Sequence, residues 1–592
     1  MLRRMTNALR LFLSASLGLL LALVATATDF AGRAHALEQP EGTSSFLPKP
    51  LAKAKTHMVI AANPLAAEAG LAILRKGGSA IDAGIATQMV LNLVEPQSSG
   101  IGGGAFILYW DAATKTLASF DGRETAPASA TPELFLDAEG TPLPRDAAMA
   151  SGLSVGAPGV LAALKLAHDK YGKLPWAELF QPAIALAREG FPISPRLAKL
   201  LADTGPQSFA PEAQAYFFDA QGRPRPDGYK LKNPALADTL EMIAREGPTP
   251  FYQGDIARDI AKAVQTDPRK AGKLTEEDLA SYRAKEREPV CVLYRVDRVC
   301  GPGPPSSGGV TVGQVLALVA PYDLGSTPLG AEAVHIIVEA ERLALADRAR
   351  YLADTDFVPA PLAGLLDPKY LAERRALIAP DHAQAHVAAG SPPNTRQGAF
   401  GRDATHEAAG TSQISIVDDD GNALSMTTTI EQAFGARTMV RGFLLNNQLT
   451  DFSFLPVDEE GRPVANRVEG GKRPRSSLDP SVVFGEDGRL LYVLGSPGGT
   501  AIILYNIKAI VALIDWRLDP AQASALANFG ITEDAVLLEP GPEWDSLATA
   551  LSGMGHEVNR VSLVSGQHII AVTPDGLEGG ADPRREGVAL GD

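Results

Sequence analysis

The chain has 592 residues, 45% of them hydrophobic, and a formal net charge of −15. That length supplies a large core, and an isoelectric point near 5.2 with no Lys/Arg-rich run excludes nucleic-acid binding through a basic face. A soluble protein acting on small molecules is the simpler expectation.

The amino terminus carries Arg3, Arg4 and Arg10, then an uncharged, mostly apolar run over residues 11–27, then Ala34-His35-Ala36. This is the pattern of a secretory signal peptide, and it implies a periplasmic or secreted protein. Cleavage after Ala36 is expected, with Ala25-Thr26-Ala27 as a competing site. An uncleaved anchor is the alternative, disfavoured because the apolar run is slightly short for a bilayer span. No later segment reads as long and apolar enough to cross a membrane.

Residues 63–76 show helical apolar spacing and stop at Gly77-Gly78, after which Ser79 is placed to cap a second helix running to about Leu93. Residues 106–110 and 117–120 read as paired strands that deliver Arg123 just past the second. Residues 176–188 read as a helix ending at Gly190, Thr275-Glu276-Glu277-Asp278 as a capping box, and 333–352 as a long amphipathic helix. Cys291 and Cys300, the only cysteines, flank a run that reads as two short strands around a turn. A disulfide closing this hairpin and two free thiols both stay open here, and neither cysteine is spaced for a metal. Residues 390–410, rich in Pro, Gly, Ser and Arg without periodicity, read as a loop. Beyond them the pattern turns β-rich, with strands at 481–484, 490–494 and 568–572 and a helix at about 500–514. Residues 579–592 are Gly/Asp/Arg-rich and are expected to fray. Strands in the later part and helices around them imply two packed sheets with helices outside.

The most informative stretch is Gly410-Thr411-Ser412-Gln413-Ile414-Ser415-Ile416-Val417, followed by the turn cluster Asp418-Asp419-Asp420-Gly421-Asn422 and a second alternating run ending in Thr427-Thr428-Thr429. Together they read as a β-hairpin in which Thr411 lies opposite Thr429, within one residue of register. Alternation puts Thr411, Gln413, Ser415, Ser425, Thr427 and Thr429 on one face and Ile414, Ile416, Leu424 and Met426 on the other. Two hydroxyls then meet at one strand end. Taken alone this is ordinary strand composition; the other segments change that reading.

Those segments are Phe120-Asp121-Gly122-Arg123-Glu124, Asn446-Asn447-Gln448-Leu449-Thr450-Asp451, Gly471-Lys472-Arg473-Pro474-Arg475-Ser476-Ser477 and Gly495-Ser496-Pro497-Gly498-Gly499-Thr500. With the hairpin, and with Glu95-Pro96-Gln97, Gly100-Ile101-Gly102-Gly103-Gly104 and Pro304-Pro305-Ser306-Ser307-Gly308-Gly309, they resemble the γ-glutamyltransferase family of N-terminal nucleophile hydrolases, in the family's order and over nearly the whole mature chain. The resemblance implies an α+β, four-layer αββα fold, self-processed into a large subunit (37–410) and a small subunit (411–592) that remain together as a heterodimer. The fragments would be about 374 and 182 residues, roughly 39 and 19 kDa.

By the same resemblance Thr411 is the nucleophile of self-cleavage at Gly410-Thr411 and of turnover, and its freed α-amine is the base for its own hydroxyl, with a reference pKa near ~7.7–8.0. Gly410, lacking a Cβ, would adopt the strained backbone that such attack needs. No histidine is required; nine are present and none lies within the hairpin itself, residues 411–429. Thr429 would orient the Thr411 hydroxyl, Arg123, Ser476 and Ser477 would hold a substrate carboxylate, and Gln448 and Asp451 its ammonium. The backbone N–H groups of Gly498 and Gly499 would form the oxyanion hole. The implied activity is γ-glutamyl transfer to water or to amino acids and peptides, with glutathione and related γ-glutamyl compounds as small-molecule substrates. No cofactor, metal, nucleic acid or, after signal cleavage, membrane is implied as a partner.

The sequence departs from the family pattern in places. Glu431 stands where an Asn often helps bind the amine, Ser412 replaces a Thr and Gln413 a His or similar residue, and the lid-like segment 455–471 carries no aromatic residue. A carboxylate at Glu431 would either bind that ammonium more strongly or shift the preference between acyl donors. Two rival readings are a glutaryl-7-aminocephalosporanic acid acylase-like amidohydrolase, whose side chain has no amine to match Asp451 and Gln448, and an unprocessed γ-glutamyl-binding protein, which a single band on a denaturing gel would support. Gly102-Gly103-Gly104 is not a nucleotide loop, because the phosphate-binding Lys is missing.

Overall fold

The expected hairpin forms at the centre of a seven-stranded sheet. In this computed structural model, which describes residues 46–384, 386–395, 400–405, 407, 410–532 and 535–592, strands Thr411–Val417 and Ala423–Thr429 pair antiparallel with Thr411 opposite Thr429. The signal-peptide reading concerns residues outside that range. Across this sheet the order is Val588–Gly591, Met58–Ala61, Thr411–Val417, Ala423–Thr429, Gly104–Asp111, Thr116–Asp121, Lys285–Arg287. A second seven-stranded sheet runs Ala52–Ala54, Gly576–Ala581, His568–Thr573, Leu490–Gly495, Ser481–Phe484, Asp297–Gly301, Val290–Tyr294.

Side-chain alternation decides what each face meets. Ile414, Ile416, Leu424 and Met426 join the apolar cluster formed with helices Pro64–Arg75 and Ala80–Val94, as the pattern implied. The opposite face meets the second sheet through a small apolar cluster that includes Met58, Ile60, Trp110, Val417, Phe484 and Ile570. Helices Gly308–Val319, Ala331–Tyr351 and Ala501–Ile514 cover the far side of that second sheet. Helices, sheet, sheet and helices stack as four layers, the αββα arrangement of an α+β protein.

Local signals place the elements where expected. Ser79 caps Ala80–Val94 in a capping box with Asp82, and Thr275 does the same with Asp278 for Glu276–Ser281. The 176–188 run is a 3₁₀ turn, Trp176–Phe180, continuing as helix Gln181–Glu189 and stopping at Gly190 with φ of 94°. Cys291 and Cys300 face each other across strands Val290–Tyr294 and Asp297–Gly301 and form a disulfide, which closes the question left open by the sequence.

One expectation fails. The carboxyl-terminal segment is not frayed: Gly576–Ala581 and Val588–Gly591 are strands in the two sheets, and Asp582, Arg584 and Arg585 are buried. Its polar composition misled because the charges are paired inside: Arg584 grips Glu539 at 2.5 and 2.6 Å and Asp582 at 3.1 Å. Gly410 packs closely against the backbone of Glu431 and Gln432. Its missing Cβ matters for space, since a Cβ there would lie 2.0 Å from the carbonyl oxygen of Glu431.

Candidate active site

Thr411 begins its strand and Thr429 ends the neighbouring one, so the register alone brings their side chains together. Thr411 Oγ1 donates to Thr429 Oγ1 at 3.3 Å, and Thr429 Oγ1 donates in turn to the carbonyl oxygen of Gly410 at 2.6 Å. The backbone N–H of Glu431 donates to Thr429 Oγ1 at 2.8 Å, which fixes the orientation of that hydroxyl. The relay therefore ties the nucleophile to the carbonyl of the bond it would attack. Behind it, Arg585 donates to the carbonyl oxygen of Thr411 at 3.1 Å, so the carboxyl-terminal segment helps to hold the strand end.

The rest of the polar face is satisfied within the sandwich. Gln413 donates to Ser425 Oγ at 3.0 Å and accepts from Thr427 at 2.6 Å, while Ser415 and Ser425 bond to carbonyls of His568 and Leu494 in the second sheet. A histidine thus does lie against the hairpin in space: His568 Nδ1 bonds to the carbonyl oxygen of Gln413 at 2.7 Å. Burial pushes its pKa down to about 3, so it is a neutral donor to a backbone carbonyl.

Thr411 and Thr429 form one wall of a narrow pocket whose other walls include Arg123, Glu407, Glu431, Gln448, Asp451, Ser476, Ser477 and Gly499. The structure brings together all the sequence-derived site residues except Gly498, which precedes Gly499 in the chain. The two glycines have φ of 146° and 57° and lead into helix Ala501–Ile514. Those angles are ones side-chain-bearing residues rarely adopt, and a Cβ at Gly498 would lie 2.6 Å from the ring of Tyr505.

Arg123, 1% exposed at the end of strand Thr116–Asp121, does not wait with an empty fork. It donates to Asp451 Oδ2 at 2.5 Å and to the carbonyls of Arg475 and Pro474 at 2.9 and 3.1 Å. Gln448 Nε2 donates to the same Asp451 oxygen at 2.9 Å. Asp451 Oδ1 and Gln448 Oε1 are buried and find no hydrogen-bond partner among the described residues. Burial raises the Asp451 carboxyl above its ordinary value, with Arg123 pulling the other way. Glu431 is buried, has φ of 79°, and lies 3.6 Å from the half-exposed Arg145. Arg145 in turn sits 5.5 Å over the ring of Phe454.

Ser476 and Ser477 are braced by the Pro304-Pro305-Ser306-Ser307 motif. Ser307 Oγ and Ser306 Oγ donate to the carbonyls of Ser476 and Leu478 at 2.7 and 2.6 Å. Three supporting residues were given no role by the sequence reading. Arg348, in the middle of helix Ala331–Tyr351, donates to Ser477 Oγ at 2.7 Å and Ser307 Oγ at 2.8 Å. Arg475 pairs with Asp403 at 3.0 Å, and Asn466, from the lid-like segment, bonds Asp403, the Asp451 carbonyl and the Arg475 N–H. Their side chains matter through tertiary partners 9 to 129 residues away in the chain, which periodicity cannot show. Among the described residues no cluster of His, Cys, Asp and Glu has the geometry of a metal site, and no helix is long and apolar enough to cross a membrane.

The Thr411 hydroxyl thus faces a pocket with a cationic, hydroxyl-lined side and a side carrying buried acceptors. The gamma-glutamyltranspeptidase family model matches residues 66–592. A glutathione hydrolase proenzyme of Bacillus subtilis (strain 168) is 36% identical over 581 residues, covering 96% of both chains. One from Escherichia coli (strain K12) is 37% identical over 543 residues, covering 90% of this chain and 91% of the relative. The crystal structure of a cephalosporin acylase from Bacillus halodurans superposes with a TM-score of 0.80 at 29% identity, covering 92% of this chain and 97% of the acylase.

Proposed function

The chain belongs to the gamma-glutamyltranspeptidase family, and on that premise we propose that it is a self-processing γ-glutamyltransferase and glutathione hydrolase with Thr411 as nucleophile. In self-cleavage the Thr411 hydroxyl oxygen attacks the Gly410 carbonyl carbon, the Gly410–Thr411 C–N bond breaks, and the nitrogen, which keeps its own hydrogen, takes up the proton lost by the hydroxyl and becomes a new α-amine. Water then hydrolyses the resulting ester, leaving a Gly410 carboxylate and a free Thr411 hydroxyl. Thr429 supports this step from where it stands, since its hydroxyl already donates to the Gly410 carbonyl oxygen on which charge develops. The products are a large subunit (37–410) and a small one (411–592), held together because Arg123 and Thr411 belong to different fragments yet share one pocket.

In turnover the Thr411 amine takes the proton of its own hydroxyl, the oxygen attacks the γ-carbonyl of a γ-glutamyl amide, and the leaving amine departs with a proton. Water or an acceptor amine then takes the acyl group. Gly498 and Gly499 N–H groups are assigned to the oxyanion, Arg123, Ser476 and Ser477 to the α-carboxylate, and Gln448, Asp451 and Glu431 to the α-ammonium. The observation that carries the reading is the buried pair of acceptors, Asp451 Oδ1 and Gln448 Oε1, in the pocket of the Thr411 hydroxyl. Such acceptors need a donor-rich group, and an ammonium supplies one. The disulfide fits an exported, periplasmic or secreted enzyme.

The likeness to a cephalosporin acylase keeps a glutaryl amide as the second reading. Hydrolysis of γ-glutamyl-p-nitroanilide and of glutaryl-p-nitroanilide, each with and without glycylglycine, separates the two. A kcat/KM at least ~30-fold higher for the γ-glutamyl compound is expected, from about 2 kcal/mol for a satisfied buried ammonium. A preference for the glutaryl compound would transfer the assignment to the acylase.

A further inference from the structure

The ammonium end of the pocket is flanked by a cation that the donor assignments leave out. Arg145 opens the short helix Arg145–Met149, which lies against the turn Gln448–Asp451. Ala148 of that helix and Leu449 of the turn share one apolar cluster with Phe135. Phe454 stacks on Phe135 with ring centroids 4.3 Å apart, and the Arg145 guanidinium sits 5.5 Å over Phe454. The side chain is thereby laid on an aromatic shelf and aimed back at the pocket. Its Nη2 is buried, finds no hydrogen-bond acceptor among the described residues, and stands 3.6 Å from Glu431 Oε1.

Charge pairing shows what this cation does to the pocket. Among the described residues Glu431 is the carboxylate with which Arg145 forms its ion pair, while the adjacent Asp146 acts on Arg437. The Glu431 side chain is 1% exposed and that of Arg145 34%, so a buried carboxylate takes its resident cation from the rim. A donor's α-ammonium must share that carboxylate with a guanidinium of like charge, which weakens its hold. A donor with a methylene in place of the amine leaves the Glu431–Arg145 pair as it stands, and no buried charge is stranded.

We propose that Arg145 sets the selectivity of the pocket among acyl donors: by neutralising Glu431 it weakens the preference for a free α-amine and admits donors that have none, such as glutaryl amides. Loss of its charge then has two effects of the same sign. The α-ammonium no longer meets a competing cation, and a donor without an amine strands the Glu431 carboxylate in a buried site. This inference rests on the assignment of Glu431 to the α-ammonium made above.

The test measures kcat/KM for γ-glutamyl-p-nitroanilide and glutaryl-p-nitroanilide in the wild-type enzyme, in Arg145→Gln, in Arg145→Lys, which keeps the charge, and in Glu431→Gln. Arg145→Met, which keeps an apolar stem on Phe454, replaces Arg145→Gln should that chain fail to fold. In Arg145→Gln the ratio of γ-glutamyl to glutaryl turnover is expected to rise roughly tenfold or more, chiefly through a lower KM for the γ-glutamyl compound, while Arg145→Lys stays near the wild-type ratio. An unchanged or lower ratio in Arg145→Gln would overturn the proposal. So would an equal shift in Arg145→Lys, which would make shape and not charge the cause, or a wild type that leaves the glutaryl compound untouched. An unchanged γ-glutamyl KM in Glu431→Gln would remove Glu431 from the ammonium end, and this inference with it; a raised KM there beside an unmoved ratio in Arg145→Gln confines the failure to Arg145.

Discussion

The two walls of the pocket are built on different principles. The nucleophile wall holds neutral hydroxyls on two adjacent strands, set by hairpin register, with Thr411, Thr429 and Gly410 linked by bonds of 3.3 and 2.6 Å. The cradle wall brings ionised groups from separate segments, Arg123, Arg348, Asp451 and Arg475 with Glu407 between them, and each is held by a partner far away in the chain. Chemistry is thereby separated from recognition. In the proposed scheme the hydroxyl wall needs no side-chain acid or base, because cleavage would supply an amine, while the charged wall would discriminate by the ends of the substrate. Damage to the first wall should slow bond making; damage to the second should weaken binding.

That separation can be broken by experiment. The largest effect expected from a supporting residue is that of Thr429→Val, which removes the donor to the Gly410 carbonyl at nearly constant volume. Self-cleavage, followed on denaturing gels, should slow by ~10²–10³-fold, as when one oxyanion donor is lost. Cleavage at the wild-type rate would detach Thr429 from the relay. On the other wall, Asp451→Asn should raise the donor KM by roughly 50-fold, about 2–3 kcal/mol, with a smaller change in kcat. A fall in kcat at unchanged KM would place Asp451 in the chemistry and blur the division. The smallest effect concerns pH. The Asp451 carboxyl titrates above its ordinary 3.8, with burial the main cause, so it takes up a proton earlier as pH falls. Donor KM should therefore rise a few-fold in mildly acidic solution in the wild type, and steady-state kinetics should find that trend flattened in Asp451→Asn.

The same contrast explains what the sequence disclosed. Hairpin register, the Ser79 and Thr275 capping boxes and the strand delivering Arg123 depend on neighbours within a few residues, so periodicity and turn chemistry were enough. Gln448, Asp451, Ser476 and Ser477 became legible only as motifs resembling a family. Arg348 reads from sequence as one more charge on a long helix, yet it is buried against Ser477. Glu407 lies in an aperiodic stretch, and its ion-pair partners are Arg348 of the helix and Arg475 of the later Pro474-Arg475-Ser476-Ser477 segment. The carboxyl-terminal strands were missed for a related reason. Arg584 and Arg585 look solvent-bound by composition, but one closes an internal ion-pair network and the other holds the Thr411 carbonyl. Long-range pairing of charges is what local pattern cannot express.

The most direct test of the central claim is amino-terminal sequencing of the purified active protein beside its Thr411→Ala variant. A fragment beginning Thr-Ser-Gln-Ile-Ser in the active protein, and a single inactive chain in the variant, are the expected results. An active protein with no such terminus, or a variant that still cleaves at this bond, would contradict the assignment of Thr411 as the self-generated nucleophile.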